Sequence, residues 1–154
     1  MTSSEALETL ERFRENPWEF HQTFETPLRN LAPFVARIVS AGGPLRAGSL
    51  VIDLVVFEPR TLIDMLTTYS IPLKYGRGLC LRAEGQQEVE EVPRVVLNDW
   101  VDFLFVSEPQ TLAIYADHDE FTTIYAHTRA ELARVAGPLR DDGFNVEGLY
   151  VRSF

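Results

Sequence analysis

The segment WVDFLFVSEPQTLAIYADHDEFTTIYAH, residues 100–127, decides the fold class of this chain. It contains the apolar runs WVDFLFV, TLAIYA and FTTIYAH, which are separated by the short polar segments SEPQ and DHDE. Apolar runs rich in β-branched and aromatic residues, divided by short turns, are typical of consecutive antiparallel strands, so we expect a meander here. One alternative stays open at its start, because the apolar residues of 97–105 also fit the period of a helix.

Towards the C-terminus, a helix and a last strand are predicted to follow the meander. Thr128 and Glu131 form the T-x-x-E pattern of a capping box, in which each side chain accepts a hydrogen bond from the other residue's backbone N–H. We expect this helix to run to about Arg140 and to end at the DDG that follows. The apolar pattern of FNVEGLYVR, residues 144–152, then predicts the final strand.

On the N-terminal side of the meander, strands and a helix are predicted to alternate. Residues 49–58, SLVIDLVVFE, are almost continuously apolar, as in a strand buried on both faces. Residues 59–70 predict a helix that begins at a proline, and GLCLRAEG, residues 78–85, predicts a strand. The acidic EGQQEVEE, residues 84–91, is interpreted as a loop before the short apolar segment VPRVVL. Asp53, inside the first run, is interpreted as a carboxylate near an edge or paired with an arginine, in preference to a buried group with a shifted pKa.

The first 43 residues are predicted to be helical. Pro33 is expected to kink or split the last of these helices. Start and stop signals mark the helices: Ser3 or Ser4, Asn16 with Pro17, Thr26 with Pro27, and finally Gly42 with Gly43. With residues 49–154 forming the sheet, the chain is predicted to be one globular α+β domain over residues 1–154. In this domain a helical N-terminal layer packs on a mostly antiparallel sheet that ends in a meander, one helix and a final strand.

The acidic composition argues against several classes of function. The 154 residues carry 23 Asp and Glu against 14 Lys and Arg, which gives a net charge of −9 and an isoelectric point near 4.8. Nucleic acids and anionic membrane surfaces are bound through clusters of Lys and Arg, which this chain lacks, and no apolar run approaches the roughly 18 residues of a spanning helix. The negative charge favours a basic protein partner by electrostatic steering, or else serves solubility.

The cysteine and lysine content of the chain bears on the cellular compartment of the protein and on its source organism. Cys80 is the only cysteine, so neither an intramolecular disulfide nor a Cys-based zinc site is expected, and its place in an apolar run predicts a structural role. The opening MTSSEALETLE does not resemble a secretory signal, and a cytoplasmic location is expected. Lys74 is the only lysine among the 14 basic residues, an arginine bias that we interpret as the codon usage of a GC-rich bacterial genome.

The DHDE turn places ionisable side chains side by side at Asp117, His118, Asp119 and Glu120. The turn lacks the D-x-D-x-D-G spacing and the distal Glu of a calcium-binding EF-hand loop. A two-residue turn would set Asp117 opposite Glu120, which is unfavourable without a cation between them. The cluster is therefore interpreted as a polar turn or, if functional, as a contact patch for a basic partner protein.

The spacing along the strands separates the two histidines of this region. A four-residue turn would pair Ala116 with Phe121 and would place His127 about 20 Å along the strand from the tip. Metal ligands must converge to within about 2.0–2.6 Å of one ion. His118 and His127 therefore cannot share a metal within this hairpin, and no metal site is predicted.

The most basic local segment is LKYGRGLCLR, in which Lys74, Arg77 and Arg82 surround two glycines. A glycine-rich basic loop can bind an anion through its backbone N–H groups. Neither the Walker spacing nor the dinucleotide-binding spacing is present, so the segment is interpreted first as a turn into a strand. If the chain binds a small anion, these three residues are the predicted contacts.

Two further regions are candidates for contacts with a partner protein. Trp18 lies in the first turn of a predicted helix, where it is expected either to pack in the core or to be partly exposed, as Trp often is in binding hot spots. The other region is the predicted acidic loop, which is interpreted either as a solvated face or as a landing surface for a basic partner. Its candidate residues are Glu84, Glu88, Glu90 and Glu91.

These features favour a non-enzymatic protein-interaction module, such as an adaptor, an inhibitor or an immunity-type protein. No recognised nucleophile motif or cofactor-binding motif is present, so no catalytic residue and no cofactor is predicted. Two alternatives stay open. One is a ligand-sensing or accessory domain that binds a small anion near Lys74–Arg82, and the other is an enzyme whose site assembles only in three dimensions, from residues such as Asp53, His118 or His127. The oligomeric state is not predicted.

Overall fold

The computed structural model of the protein describes residues 1–150. Within that range, five helices pack on one eight-stranded sheet in which all neighbouring strands are antiparallel. The strand order is β1-β4-β3-β5-β6-β7-β2-β8. The elements are β1 Thr2–Glu5, α1 Ala6–Glu15, β2 Phe20–Glu25, α2 Leu31–Ser40, β3 Ala47–Leu54, α3 Arg60–Thr68, β4 Leu79–Glu84, α4 Gly85–Asn98, β5 Asp102–Glu108, β6 Ala113–Ala116, β7 Phe121–Ala126, α5 Arg129–Asp141 and β8 Val146–Glu147. The predicted α+β class is confirmed.

The predicted meander forms the middle of the sheet, because β5, β6 and β7 are consecutive in the chain and adjacent in space. The alternative over residues 97–105 is resolved in favour of a strand. α4 ends at Asn98, and β5 begins at Asp102. Between them Trp100 has φ of 56°, a left-handed conformation that ends the helix and redirects the chain into the sheet.

Alternate side chains of β5 pack into two separate hydrophobic clusters. Phe103 and Phe105 belong to the larger cluster, which the sheet forms with α2, α3, α4 and α5. Leu104 and Val106 belong to a smaller cluster with Phe13 of α1. Successive side chains of a strand point to opposite faces, so the middle of the sheet is covered on both sides. This two-sided burial explains why its strands read as nearly continuous apolar runs.

The helix predicted after the meander is confirmed, together with its cap. Thr128 Oγ1 accepts a hydrogen bond from the Glu131 N–H, and Glu131 Oε2 accepts one from the Thr128 N–H, both at 3.1 Å. The strand predicted after this helix is short, since it comprises only Val146–Glu147. The part of that prediction beyond residue 150 lies outside the described residues.

The prediction that residues 1–43 are helical throughout is wrong, because β1 and β2 lie within them. β2 pairs with β7 over all six of its residues. Phe20 and Phe24 are four positions apart, a spacing that fits one face of a helix and equally one face of a strand. The pairing with β7 selects the strand, so Pro17 does not begin a helix.

α2 begins at Leu31, later than the Thr26–Pro27 signal predicted. Pro33 lies in its first turn, where the missing proline N–H removes no intrahelical hydrogen bond. The helix is therefore continuous, contrary to the expected kink or split. It ends before Gly43, whose φ of 93° is easily adopted only by glycine.

The acidic stretch interpreted as a loop forms the first half of α4. Glu88 Oε2 accepts a hydrogen bond from the backbone N–H of Glu84 at 2.8 Å, and Glu88 Oε1 accepts one from the Met1 ammonium group at 2.9 Å. Carboxylates are favourable at a helix N-terminus, where N–H groups lack intrahelical partners. The acidic residues thus support a helix start, and the loop prediction is wrong.

Candidate protein-interaction site

The candidate residues Asp117, His118, Asp119 and Glu120 lie at one end of the sheet, which we call the turn end. It is the end at which β3, β6 and β2 finish and at which β5, β7 and β8 begin. Because neighbouring strands are antiparallel, the connections at this end are adjacent in space. They include the 117–120 turn, the 26–30 segment after β2 and the 142–145 segment before β8.

The 117–120 turn has a different register from the predicted one. Ala116 lies opposite Thr122, and the N–H of Asp117 donates to the carbonyl oxygen of Phe121 at 3.1 Å. A three-residue loop remains between the strands. Its last residue, Glu120, has φ of 74°, which is the left-handed conformation that commonly closes such loops. The expected pairing of Ala116 with Phe121 is therefore wrong by one residue.

The buried side chain of Asp117 stabilises the conformation of the 117–120 turn through hydrogen bonds. It is only 2% exposed, and its Oδ1 accepts hydrogen bonds from the N–H groups of Asp119 at 3.0 Å and Phe121 at 3.3 Å. Its Oδ2 accepts a hydrogen bond from the Tyr150 hydroxyl. The side chains of this turn that can meet a partner are therefore the three that follow Asp117.

Asp102, which the sequence reasoning passed over, fixes the position of His118. The Asp102 side chain is 2% exposed, and its Oδ1 lies 2.8 Å from both the backbone N and the Nδ1 of His118. The hydrogen bond to Asp102 raises the pKa of His118 above 6.5, although burial opposes the shift. The available sequence signal was an Asp inside the apolar run WVDFLF, since a buried carboxylate needs a hydrogen-bonding partner.

The hydrogen bond to Asp102 fixes the orientation of the His118 imidazole ring. His118 Nε2 lies 3.8 Å from Asp119 Oδ1, and no described hydroxyl or thiol forms a hydrogen bond with it. The described His, Cys, Asp and Glu side chains also form no group of three or more that could hold a metal ion.

An open cleft of about 640 Å³ lies between the 117–120 turn and the 26–30 and 142–145 segments. Fourteen of the described residues 1–150 line this cleft; five of these are acidic, and Arg29 is the one basic residue among the fourteen. We call it the acidic cleft. Its acidic residues are Glu25, Asp119, Glu120, Asp142 and Glu147.

Four of these five carboxylates form no ion pair with a described Lys or Arg. Asp142 is the exception, because Arg37 donates two hydrogen bonds to it at 2.7 and 3.1 Å and lowers its pKa. Glu25 and Glu147 accept hydrogen bonds from neutral groups, the Asn145 side chain and a backbone N–H. Asp119 is 70% exposed. The acidic cleft therefore presents largely uncompensated negative charge to solvent.

Arg82 does not belong to a basic site. Its Nε donates to Glu84 Oε1 at 2.7 Å, and its Nη2 lies 2.9 Å from Glu108 Oε2. The hydrogen bonds to Glu84 and Glu108 raise the pKa of Arg82. A guanidinium already shared between two carboxylates has little capacity to recruit an anion.

The other two predicted anion contacts lie just before β4, away from Arg82. Arg77 Nη2 lies 3.5 Å from Asp53 Oδ1, and Asp53 Oδ2 accepts a hydrogen bond from the Tyr115 hydroxyl at 2.9 Å. The interpretation of Asp53 as a carboxylate paired with an arginine is confirmed. Lys74 is exposed and forms no ion pair within residues 1–150. The three predicted anion contacts therefore do not converge on one point.

Each of the four acidic interface candidates around the start of α4 has an intramolecular partner. Glu91 accepts a hydrogen bond from the Tyr69 hydroxyl at 2.6 Å, which raises the pKa of Tyr69 to about 12. These partners leave the α4 carboxylates less available to a binding protein than those of the acidic cleft. The pairs are Glu84 with Arg82, Glu88 with the Met1 ammonium group, Glu90 with Gln86, and Glu91 with Tyr69.

Trp18 packs in an aromatic stack at the end of β7 opposite the turn. Its ring centroid lies 5.7 Å from that of Phe13 and 4.0 Å from that of His127, and its Nε1 donates to the Phe13 carbonyl at 3.0 Å. The ring nitrogens of His127 lie 2.9 Å from the Pro17 carbonyl oxygen and 2.8 Å from that of Gln110. These contacts link the loop that contains Pro17 to the loop that contains Gln110, and Trp18 is half-buried.

No family model, curated protein or solved structure matches this chain. None of the helices in residues 1–150 has the length and apolar character required to cross a membrane. A functional assignment therefore depends on the surface described above, and the acidic cleft is its most distinctive feature.

Proposed function

We propose that this protein is a non-enzymatic interaction module that binds a basic segment of a partner protein in the acidic cleft, as an adaptor, an inhibitor or an immunity-type protein does. The observation that carries the proposal is the set of four cleft carboxylates that have no Lys or Arg partner within residues 1–150. The single, buried Cys80 and the arginine-rich composition support a place of action in a bacterial cytoplasm.

A cationic partner would relieve the mutual repulsion of these carboxylates. Exposed ion pairs contribute about 0.2–1 kcal/mol each, so four of them would contribute roughly 1–4 kcal/mol to binding. That range corresponds to about a 5-fold to about a 1000-fold change in affinity. Because the groups are exposed, salt should weaken the interaction, and it should do so mainly by slowing association.

The charge of the whole chain acts in the same direction. A net charge of −9 attracts a basic protein over distances longer than any contact and raises the association rate. Electrostatic steering by the net charge does not fix the orientation of a bound partner. A concave surface that carries carboxylates does, because the basic groups of the partner must lie against it. The acidic cleft is therefore the specific part of the proposed interaction.

The test compares the proteins captured from a bacterial lysate by three forms of the full chain at about 50 and about 500 mM NaCl. The first form is the wild type, and the second neutralises the cleft with Glu25→Gln, Asp119→Asn, Glu120→Gln and Glu147→Gln. The matched control makes the same change in net charge elsewhere, on exposed residues outside the cleft. Its substitutions are Glu11→Gln, Glu15→Gln, Glu19→Gln and Asp64→Asn.

We expect the wild type and the control to capture the same basic proteins at low salt, and the cleft variant to lose them. Calorimetric titration of a captured protein should then give an affinity for the cleft variant that is about 5-fold to about 1000-fold lower. If the cleft variant retains every captured protein while the control behaves like the wild type, the proposed role of the cleft is wrong.

A further inference from the structure

A second cavity, of about 60 Å³, lies between the end of α2, the β5–β6 connection and the first half of α5. Nine of the described residues line it, and none of these nine lines the acidic cleft. Five of the nine have buried aliphatic side chains, so we call it the aliphatic cavity. These five are Ile38, Val39, Leu45, Leu112 and Val135.

Glu131 and Arg134 are the charged residues among the nine that line the aliphatic cavity. They are three positions apart in α5, and residues at this spacing lie on the same side of a helix with Cβ atoms about 5–6 Å apart. Neither side chain forms an ion pair within residues 1–150. The cavity therefore combines an aliphatic wall with one carboxylate and one guanidinium that are both available to a ligand.

The capping box of α5 holds the Glu131 carboxylate in place. Glu131 Oε2 accepts the hydrogen bond from the Thr128 N–H at 3.1 Å, and Glu131 Oε1 accepts none within residues 1–150. A glutamate that is ordered only on binding loses side-chain entropy at that moment, whereas this side chain is already ordered by the cap. Its second oxygen is thus free to accept a hydrogen bond from a ligand at a low entropic cost.

The volume of the aliphatic cavity limits the size of the group that enters it. A cavity needs about 10–15 Å³ for each water-sized group, so 60 Å³ holds roughly four to six such groups. The branched side chains of valine, leucine and isoleucine are of this size. The rings of phenylalanine and tryptophan are larger, and the methyl group of alanine would leave most of the cavity unfilled.

We propose that the aliphatic cavity binds a free branched-chain α-amino acid, so that the protein carries a ligand-sensing site besides its interaction surface. The branched side chain enters the cavity, Glu131 accepts hydrogen bonds from the α-ammonium group, and Arg134 donates hydrogen bonds to the α-carboxylate. The two charged groups of the ligand are attached to one carbon atom, which suits two protein groups that are less than one helical turn apart. The site is separate from the acidic cleft, so this inference does not depend on the proposed function.

The pair of opposite charges favours a zwitterion over other small apolar ligands. A fatty acid would place its carboxylate beside Glu131, and an alkylamine would place its ammonium group beside Arg134. A hydrocarbon would leave both groups without a partner, and a peptide terminus has only one of the two charged groups. A branched-chain amino acid has no net charge, so the net charge of −9 of the protein neither attracts nor repels it.

The test is an NMR titration of the full chain with L-leucine up to about 20 mM in about 150 mM NaCl, with L-alanine and L-phenylalanine as size controls. The backbone amide signals of Gly42 and Leu112 report on the aliphatic cavity, and that of Asp119 reports on the acidic cleft. We expect leucine to shift the signals of Gly42 and Leu112 in a saturable manner and to leave that of Asp119 unchanged. Leucine should bind about 50-fold more tightly than alanine, because its side chain buries three more carbon atoms. Phenylalanine should produce no saturable shift.

Two analogues of leucine test the two charged contacts separately. Leucinamide lacks the carboxylate, N-acetylleucine lacks the ammonium group, and each should bind the wild type about 2-fold to about 5-fold more weakly than leucine. Arg134→Gln should remove the difference between leucine and leucinamide. Glu131→Gln should remove the difference between leucine and N-acetylleucine, and it preserves the fold because glutamine also completes a capping box.

The matched controls are Glu11→Gln and Arg94→Gln, which make the same changes in net charge on exposed residues that do not line the cavity. Both should discriminate between leucine and its analogues as the wild type does. Circular dichroism verifies that all variants are folded.

Three results would overturn the proposal. They are the absence of a saturable shift with leucine, equal affinities for leucine and alanine, and equal discrimination between leucine and its analogues by the wild type and by the Glu131→Gln and Arg134→Gln variants. The capture of basic proteins by the acidic cleft is a separate measurement, so failure of the amino-acid site leaves the proposed function intact.

Discussion

Substitution of His118 by alanine tests how the 117–120 turn is held against the sheet. The change removes the Nδ1 hydrogen bond to Asp102 but leaves the backbone hydrogen bond to the same carboxylate. A hydrogen bond to a charged group contributes about 1.5–3 kcal/mol, and we expect the lower part of this range because the side chain is 30% exposed. A loss of about 1.5–2 kcal/mol lowers the melting temperature of a chain of this size by roughly 3–8 °C.

The free energy of unfolding that His118→Ala loses should be larger at low pH than at high pH. The pKa of His118 is raised in the folded protein, so the stabilising contribution of its protonated form is complete below the unfolded pKa of 6.5 and is lost as the pH rises through the folded value. The alanine variant should therefore lose more stability at pH about 5.5 than at pH about 8.5. Asp102→Asn keeps a side-chain oxygen that can accept the hydrogen bond from the His118 backbone N–H but removes the charge, so it should abolish most of this pH dependence.

Urea unfolding at the two pH values measures these differences, and the NMR titration of the His118 ring reports its pKa directly. His21→Ala is the matched control, because His21 is exposed on β2 and forms no hydrogen bond through its side chain within residues 1–150. The reasoning is refuted if the alanine variant loses the same free energy at both pH values, or if His118 titrates below 6.5.

Three further predictions concern the fold itself. Gly48→Ala places a Cβ against the buried ring of Phe105, where there is no room for it, and should lower the free energy of unfolding by about 1–3 kcal/mol in urea titrations, whereas Gly42→Ala meets open space and should have little effect. Thr128→Ala removes the cap of α5 and should cost about 1 kcal/mol, most of which a serine should restore. The difference between the ultraviolet pH titrations of the wild type and Tyr69→Phe should show a phenol with a pKa of about 12, and a midpoint near 10 would contradict the hydrogen bond described for that hydroxyl.

Local signals explain the parts of the fold that could be predicted. The capping box of Thr128 and Glu131 operates within four residues, so it forms wherever the helix forms. The apolar runs of β3 and β5 to β7 are as long as strands and are separated by turns, which leaves few alternatives. The pairing of Asp53 with an arginine could also be anticipated, because a carboxylate within an apolar strand requires a partner.

Ambiguous signals explain the errors. The spacing of Phe20 and Phe24 fits a helix and a strand equally well, and only pairing with β7, about a hundred residues away, selects the strand. The acidic residues after β4 have the composition of a solvated loop. They form a helix whose valines, Val89, Val92 and Val96, are buried in the core, and the sequence stretch alone does not reveal the surfaces that bury them.

The candidate site was only partly accessible from the sequence. The separation of His118 from His127 followed from strand geometry, and the structure places His127 in the aromatic stack with Trp18. The burial of Asp117 and the identity of the partner of Asp102, which is His118, were not accessible, because both depend on the register of the turn, which differs by one residue from the pairing predicted.

The sequence by itself thus determined the α+β class, the central meander, the capped helix α5 and the acidic character of the chain, because each depends on periodicity, capping or composition within a short stretch. The tertiary structure decided which acidic side chains are available to a partner. Glu88 and Glu91 are engaged by Met1 and Tyr69. The carboxylates of the acidic cleft come from segments that lie far apart in the chain, and four of the five have no Lys or Arg partner within residues 1–150. Charge is a property of composition, but whether it is compensated depends on which side chains the fold makes neighbours.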